Sequence, residues 1–220
     1  MKTSEVRDFA ASRAAMVEWQ LSQRGIHDPR VLEAFREVPR HLFVPTELLL
    51  HAYDDCPLPI GEGQTISQPY MVAVMTEAAA LTGREKVLEV GTGSGYQAAI
   101  LARLAARVYT VEQHSALSAA AEERLRRLGV TNVTCLVGDG SLGYPEAAPY
   151  DVVVVTAAAP TIPDTLVEQL APRGRLMIPV GSRDSQELLL VHRKNGETSW
   201  ETINYCRFVP LGGRYGWGGA

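Results

Sequence analysis

A chain of 220 residues that is 46% hydrophobic can bury a core the size of one domain, and its net charge of −4 offers no basic footprint for nucleic acid. Cys56, Cys135 and Cys206 are odd in number and form no CxxC pair, which argues against a disulfide frame or a cysteine zinc site and fits reduced thiols in the cytoplasm. No segment has the apolar length of a membrane span or the character of a secretory leader, so a soluble cytoplasmic protein without nucleic-acid or membrane partners is expected.

In chain order, Val6, Ala10, Ala14, Val17 and Leu21 recur at helical spacing from Glu5 to about Gln23. Asp28-Pro29 opens a second helix, with Val31, Leu32, Phe35 and Val38 inward and Pro39 as its stop. "TELLLHAY" at 46–53 reads as a third. Residues 54–68, with Pro57, Pro59, Gly61 and Gly63, read as an irregular loop or a short hairpin. Residues 1–68 are too interrupted for a domain of their own and read as a helical cap on a core spanning 69–211, the whole of 1–211 forming one domain. The stretch "QTISQPYMVA" at 64–73 sets a polar segment directly before an Ala-rich helix of 69–82. Ser67 there admits two readings, a helix N-cap or a site residue.

Beyond that helix the pattern alternates. "KVLEV" (86–90), "RVYTV" (107–111), "NVTCLV" (132–137) and "DVVVVT" (151–156) are short, apolar and rich in β-branched residues, as strands buried on both faces should be. Helices are expected at 96–104, 115–128 and 163–170, followed by a strand "RLMIPV" (175–180). Strands joined by crossover helices imply a doubly wound α/β fold with a mostly parallel, Rossmann-like sheet. The six residues between Val180 and Glu187 are too few for a crossover. "ELLLVHRK" (187–194) and "SWETINYCRFVPL" (199–211) should therefore return antiparallel, through a turn at Asn195-Gly196. Residues 212–220, with five glycines in nine, read as a mobile tail. "RLRRLG" at 124–129 reads as a solvated helix face.

"KVLEVGTGSGYQ" runs a buried strand through Gly91, Gly93 and Gly95 into a helix, the arrangement that lets a nucleotide approach backbone at a helix start. The next strand ends on Glu112, about 20 residues further on, where a carboxylate can accept ribose hydroxyls. The pattern is G-x-G-x-G, with Tyr96 where a hydride-transfer enzyme would have its last glycine. Glu89 precedes the turn by two residues and Asp139 follows the third strand. Three carboxylates at successive strand ends suit a cationic nucleotide derivative better than a pyrophosphate, which favours S-adenosylmethionine over NAD. The five histidines form no evident dyad or metal spacing.

With these residues in view, the chain resembles the protein-L-isoaspartate O-methyltransferase family. The resemblance runs through "VLEAFREVPRHLFVP", "TISQPYM", "LEVGTGSGYQAAIL", "GDGSLGYPEAAPYD", "TAAAP", "LAPRGRLMIPVG" and "RFVPL", with "TISQPYM", "AAAP" and "RFVPL" the most specific. It implies transfer of a methyl group from S-adenosylmethionine to the free α-carboxylate of L-isoaspartyl residues in damaged proteins and peptides, leaving S-adenosylhomocysteine and starting repair through a succinimide. It further implies that Gln64, Thr65, Ile66 and Ser67 line the cleft between donor and substrate, with Ser67 the active residue. Glu89, Gly91, Thr92, Gly93, Ser94, Glu112, Gln113, Asp139 and Gly140 would hold the donor; Thr65, Ser67 and Val209 would hold the substrate, with no metal. "Q-P-Y" stands where some members have "A-P-H", so no role transfers to Tyr70. A monomer is expected. The rivals are an NAD-dependent oxidoreductase, a nucleotide-binding module without catalysis and an amine-directed methyltransferase.

Overall fold

The four β-branched segments form the centre of a sheet, in a computed structural model that describes residues 8–194 and 196–218. They are β3 (Lys86–Val90), β4 (Arg107–Glu112), β5 (Val133–Val137) and β6 (Tyr150–Val155), preceded in the chain by a separate hairpin of β1 (Leu58–Gly61) and β2 (Gln64–Ile66). Val87, Leu88 and Val152 to Val155 are fully buried, so both faces of the central strands are covered. Alternate residues serve opposite cores: Val87, Val152 and Val154 pack into one apolar cluster, and Leu88, Val153 and Val155 into the other.

β7 (Leu170–Gly181), β8 (Gln186–Lys194) and β9 (Glu197–Cys206) complete seven strands in the order β5-β4-β3-β6-β7-β8-β9. The first five are parallel, while β8 and β9 return antiparallel without a crossover helix, as the short connections require. Lys194 pairs with Glu197 across the expected turn; Asn195, like the start of the first predicted helix at Glu5 and residues 219–220 of the predicted tail, lies outside the described residues. β7 starts earlier than expected, because Leu170 pairs with Tyr150 ahead of an irregularity in the ladder.

Helices α3 (Pro69–Ala78), α4 (Tyr96–Leu104), α5 (Ser115–Arg127) and the short α6 (Asp164–Glu168) lie between or before these strands. They come after α1 (Phe9–Ala15), capped by Asp8, and α2 (Pro29–Glu37), capped by Asp28. After α1 the chain runs through a wider helical turn, Met16–Leu21, which buries Met16, Val17 and Leu21, and then a tight turn at Ser22–Arg24. The third predicted helix is a tight helical turn at Thr46–His51. Phe35 and Phe43 of this cap meet the Tyr96 ring edge-on, at 6.0 and 5.4 Å between centroids. Cap and sheet residues therefore share one core rather than two.

Strand order reverses between β3 and β6, so successive connections leave in opposite directions and a crevice opens at the carboxyl ends of these strands. After β9 the chain leaves the sheet edge and crosses those ends. Ala158 N–H donates to Val209 O and Leu211 N–H to Ala158 O, both at 2.8 Å, which docks "RFVPL" on "TAAAP". The residues beyond are not the loose tail expected. Gly212 to Gly218 fold back as a turn whose amides find partners on the segment after β5.

Candidate active site

Gly91 succeeds β3 in a left-handed conformation, φ +98°, that favours glycine. A Cβ there would lie 2.4 Å from Thr156 Oγ1, and that hydroxyl instead donates to Gly91 O at 2.7 Å. Thr156, at the end of β6, thus fastens the first turn of the glycine segment to the neighbouring strand. On the other side Glu112 closes β4. Its carboxylate accepts from Gly93 N–H at 2.8 Å and from His114 N–H at 3.0 Å, and the side chain is 5% exposed. Each oxygen keeps a lone pair. Arg124 departs from the expected solvated face: it is half-buried and reaches Ser94 O at 3.4 Å.

These residues face one cleft, half open to solvent. Of the residues expected to bind donor or substrate, Gln64, Thr65, Ile66, Ser67, Gly91, Thr92, Gly93, Ser94, Glu112, Gln113, Gly140 and Val209 all line it. Two do not. Glu89 is fully buried away from the cleft, where Thr110 Oγ1 donates to one carboxylate oxygen and Thr92 Oγ1 bonds Thr110 Oγ1 at 2.6 Å. Burial, with the Glu112 charge adding to it, pushes the Glu89 carboxyl up to about 8, so at neutral pH it is mostly uncharged. It lies outside the cleft wall, and its second oxygen has no partner among the described residues. Asp139, next to the wall residue Gly140, is partly exposed, with its oxygens bonded to Ser141 N–H (2.9 Å), Ser141 Oγ (2.6 Å) and Arg214 N–H (2.8 Å).

The other end of the cleft is made of β2 and the Ser67-Gln68 link into α3. The hairpin leans over the glycine turn, with Ile60 against Gly93 and the Glu62 carboxylate 3.8 Å from His114 Nδ1. Ser67 does not cap α3. The cap position belongs to Gln68, with Pro69 first in the helix and no side-chain cap bond. Ser67 is held through its backbone instead, its carbonyl accepting from Arg40 Nη2 at 2.8 Å. Arg40 is fully buried, also donates to Ala52 O at 2.8 Å, and lies 4.9 Å from the Tyr96 ring centroid. Burial pulls its guanidinium down to about 10, still charged at neutral pH. Tyr70 faces away: its hydroxyl donates to Arg24 O, and its ring stacks under the Arg24 guanidinium at 3.8 Å.

Val72, Tyr96, Gln97, Thr156, Pro210, Leu211 and Gly212 also line the cleft and were not among the site residues expected from the sequence. Gln97 is the most informative. Its Nε2 donates to Thr76 Oγ1 at 3.0 Å, while its Oε1 is buried with no partner among the described residues. A buried acceptor in a cleft wall fits a ligand that carries a donor, such as the ammonium of S-adenosylmethionine. The signal in the sequence was weak: a glutamine two residues into a helix has no motif meaning until the fold aims it.

Residues 11–216 match the family model described as protein-L-isoaspartate(D-aspartate) O-methyltransferase. The chain belongs to this family. A protein-L-isoaspartate O-methyltransferase from Geobacter metallireducens is 55% identical over 212 residues, covering 96% of this chain and 98% of the relative. One from Methanoculleus marisnigri is 54% identical, covering 94% of each. Among solved structures, a protein-L-isoaspartate O-methyltransferase superposes with a TM-score of 0.84 at 33% identity, covering 93% of this chain and 67% of that one. A second, a beta-aspartate methyltransferase from Plasmodium falciparum in complex with S-adenosyl-L-homocysteine, gives 0.78 at 25% identity, covering 91% and 98%. The family's fold is thus the one assembled here from strand order and crossover helices. No helix among the described residues is long and apolar enough to cross a membrane.

Proposed function

We propose that this chain transfers the methyl group of S-adenosylmethionine to the free α-carboxylate of L-isoaspartyl residues in altered proteins and peptides. The observation that carries this reading is a single cleft walled at one end by Gly91–Ser94 and Glu112, and at the other by Gln64–Ser67 and Val209–Gly212. One end suits a nucleoside and the other an extended peptide. Three free cysteines suit the cytoplasm. An acidic net charge gives nucleic acid no foothold.

When bound, S-adenosylmethionine supplies a methyl group on a sulfonium, an electrophile that needs no further activation. An isoaspartyl carboxyl with an ordinary pKa of ~3.9 is ionised at neutral pH, so the nucleophile needs no general base. The chain's task is placement, with the reacting atoms about 3–3.5 Å apart and water excluded. Glu112 would take the ribose hydroxyls on its remaining lone pairs. Gln97 Oε1 would accept from the ammonium, and Gly140 with Asp139 would meet the adenine edge. Thr65–Ser67 and Val209 would offer main chain to the substrate, and Ser67 Oγ would donate to the carboxylate oxygen that does not attack. Aspartyl and isoaspartyl groups are both anions, so selectivity comes from where the backbone bonds place the carboxylate. The neighbouring backbone nitrogen then attacks the ester carbonyl, closing the succinimide and expelling methanol, which takes up the amide proton.

Incubation with methyl-labelled donor and two peptides that differ only in isoaspartate or aspartate should leave base-labile label on the first alone. Label on both, or on neither while the donor binds, would sink the assignment. Ser67→Ala should lower kcat on the isoaspartyl peptide roughly 10- to 150-fold, the loss of one charge-assisted bond. Because Ser67 caps nothing, its stability should change by less than ~0.5 kcal/mol.

A further inference from the structure

The segment after "RFVPL" has an arrangement that its glycine-rich sequence conceals. Gly212 lines the cleft beside Gln113, and a Cβ on it would lie 2.2 Å from Gln113 Oε1. Gly213 has φ +95°, and a Cβ there would lie 1.8 Å from Asp139 Oδ1, so only glycine lets the chain pass over that carboxylate. The next two amides then bond downward. Arg214 N–H donates to Asp139 Oδ2 at 2.8 Å, and Tyr215 N–H to Ser141 Oγ at 3.0 Å, whose own hydrogen goes to Asp139 Oδ1. The turn is closed on itself by Trp217 N–H to Leu211 O at 2.7 Å, and the Arg183 guanidinium lies 5.3 Å from the Trp217 ring centroid. A mobile tail would make none of these contacts.

The turn leaves Asp139 with one free acceptor site. Oδ1 receives two protons, from Ser141 N–H and Oγ, which fills its lone pairs. Oδ2 receives one, from Arg214 N–H, and has one lone pair left. We propose that the Gly212–Tyr215 turn is a specificity element for the donor's base: it fixes the Asp139 carboxylate so that one acceptor remains for the exocyclic amino group of adenine. This rests on the reading of Asp139 as the adenine acceptor. A base bearing an oxo group at that position would set lone pair against lone pair and be rejected. Gly213 and Arg214 are positioning residues, acting on the donor through Asp139.

The test is calorimetric titration of S-adenosylhomocysteine and of its hypoxanthine analogue into three proteins: the full chain, a chain ending after Gly212, and the full-length Gly213→Ala. In the full chain the adenine form should bind at least tenfold more tightly than the hypoxanthine form. In both variants adenine affinity should fall about tenfold and hypoxanthine affinity less than twofold, so the preference collapses. In turnover the loss should appear in KM for the donor rather than in kcat at saturating donor. Gly213→Ala keeps every other residue, and so decides the matter if the shortened chain folds poorly. Equal losses for the two ligands would assign the turn a purely structural role and overturn the inference; unchanged or tighter adenine binding would also overturn it. Asp139→Asn tests the underlying reading separately: if it retains the full adenine preference, that reading fails and the inference with it. If it loses the preference while Gly213→Ala retains it, the inference alone fails.

Discussion

At the end of the cleft that we assign to the donor, the walls begin where strands end: Gly91 after β3, Glu112 closing β4, Gly140 after β5 and Thr156 after β6. At the end that we assign to the acceptor the walls are strand β2 of the hairpin with Ser67, and the irregular segment 209–212, and neither belongs to the parallel ladder. The donor end inherits its geometry from the sheet, since the ladder that fixes β3 against β4 and β6 also fixes the turns at their carboxyl ends. The acceptor end has to be pinned one contact at a time, by Arg40 under the Ser67 carbonyl and by Ala158 against Val209 and Leu211. Rigid positioning in the first region comes with the fold. In the second it depends on a few buried polar contacts.

If this contrast is right, damage at either end should show in a different measurement. The largest effect is expected from Glu112→Ala, which removes two charged hydrogen bonds to ribose at about 1.5–3 kcal/mol each and weakens donor binding roughly 100-fold or more. Calorimetry with S-adenosylhomocysteine checks it, and unchanged affinity with lost turnover would break the division into two ends. Next is Arg40→Met. Relief of burying a cation works in its favour, but the Ala52 and Ser67 carbonyls lose their partner, so a net loss of about 2–4 kcal/mol is expected in urea unfolding. Turnover should fall beyond what that instability explains, while donor affinity per folded molecule holds; Arg40→Lys should recover part of both losses.

The smallest effect on binding is expected at Glu89, buried away from the wall: Glu89→Gln should change donor affinity within roughly threefold. Stability should report it instead. The folded carboxyl is raised, so its contribution is fully present below the unfolded value near 4.5 and is lost as pH rises through about 8. Glu89→Gln should therefore flatten the decline of wild-type stability across that window, and identical pH profiles would show that Glu89 is charged in the fold.

Legibility in the sequence divides along the same line. Strand and helix spacing, the glycine turn and Glu112 are local patterns tied to the sheet, and α4 begins and ends where periodicity places it. Glu89 misled because a charge count along strand ends says nothing of which way a side chain points; strand alternation turns it inward. Arg40, Thr156 and Gln97 were invisible because their partners lie 27, 65 and 21 residues away. The glycines of 212–218 signalled freedom when read alone, yet in the fold Gly213 is what close passage over Asp139 demands.

Ser67 and Val209 face the same cleft from opposite parts of the chain, and every strand of the main sheet is translated between them. The acceptor end is therefore among the last parts of the molecule to take shape, because closing so long a loop must wait for the sheet that spans it. The glycine turn and Glu112 need only neighbouring strands. During synthesis or refolding the ribose seat at Glu112 can form before the peptide site does, whereas full donor affinity, which also draws on the Gly212–Tyr215 turn over Asp139, returns only when the last part of the chain has docked.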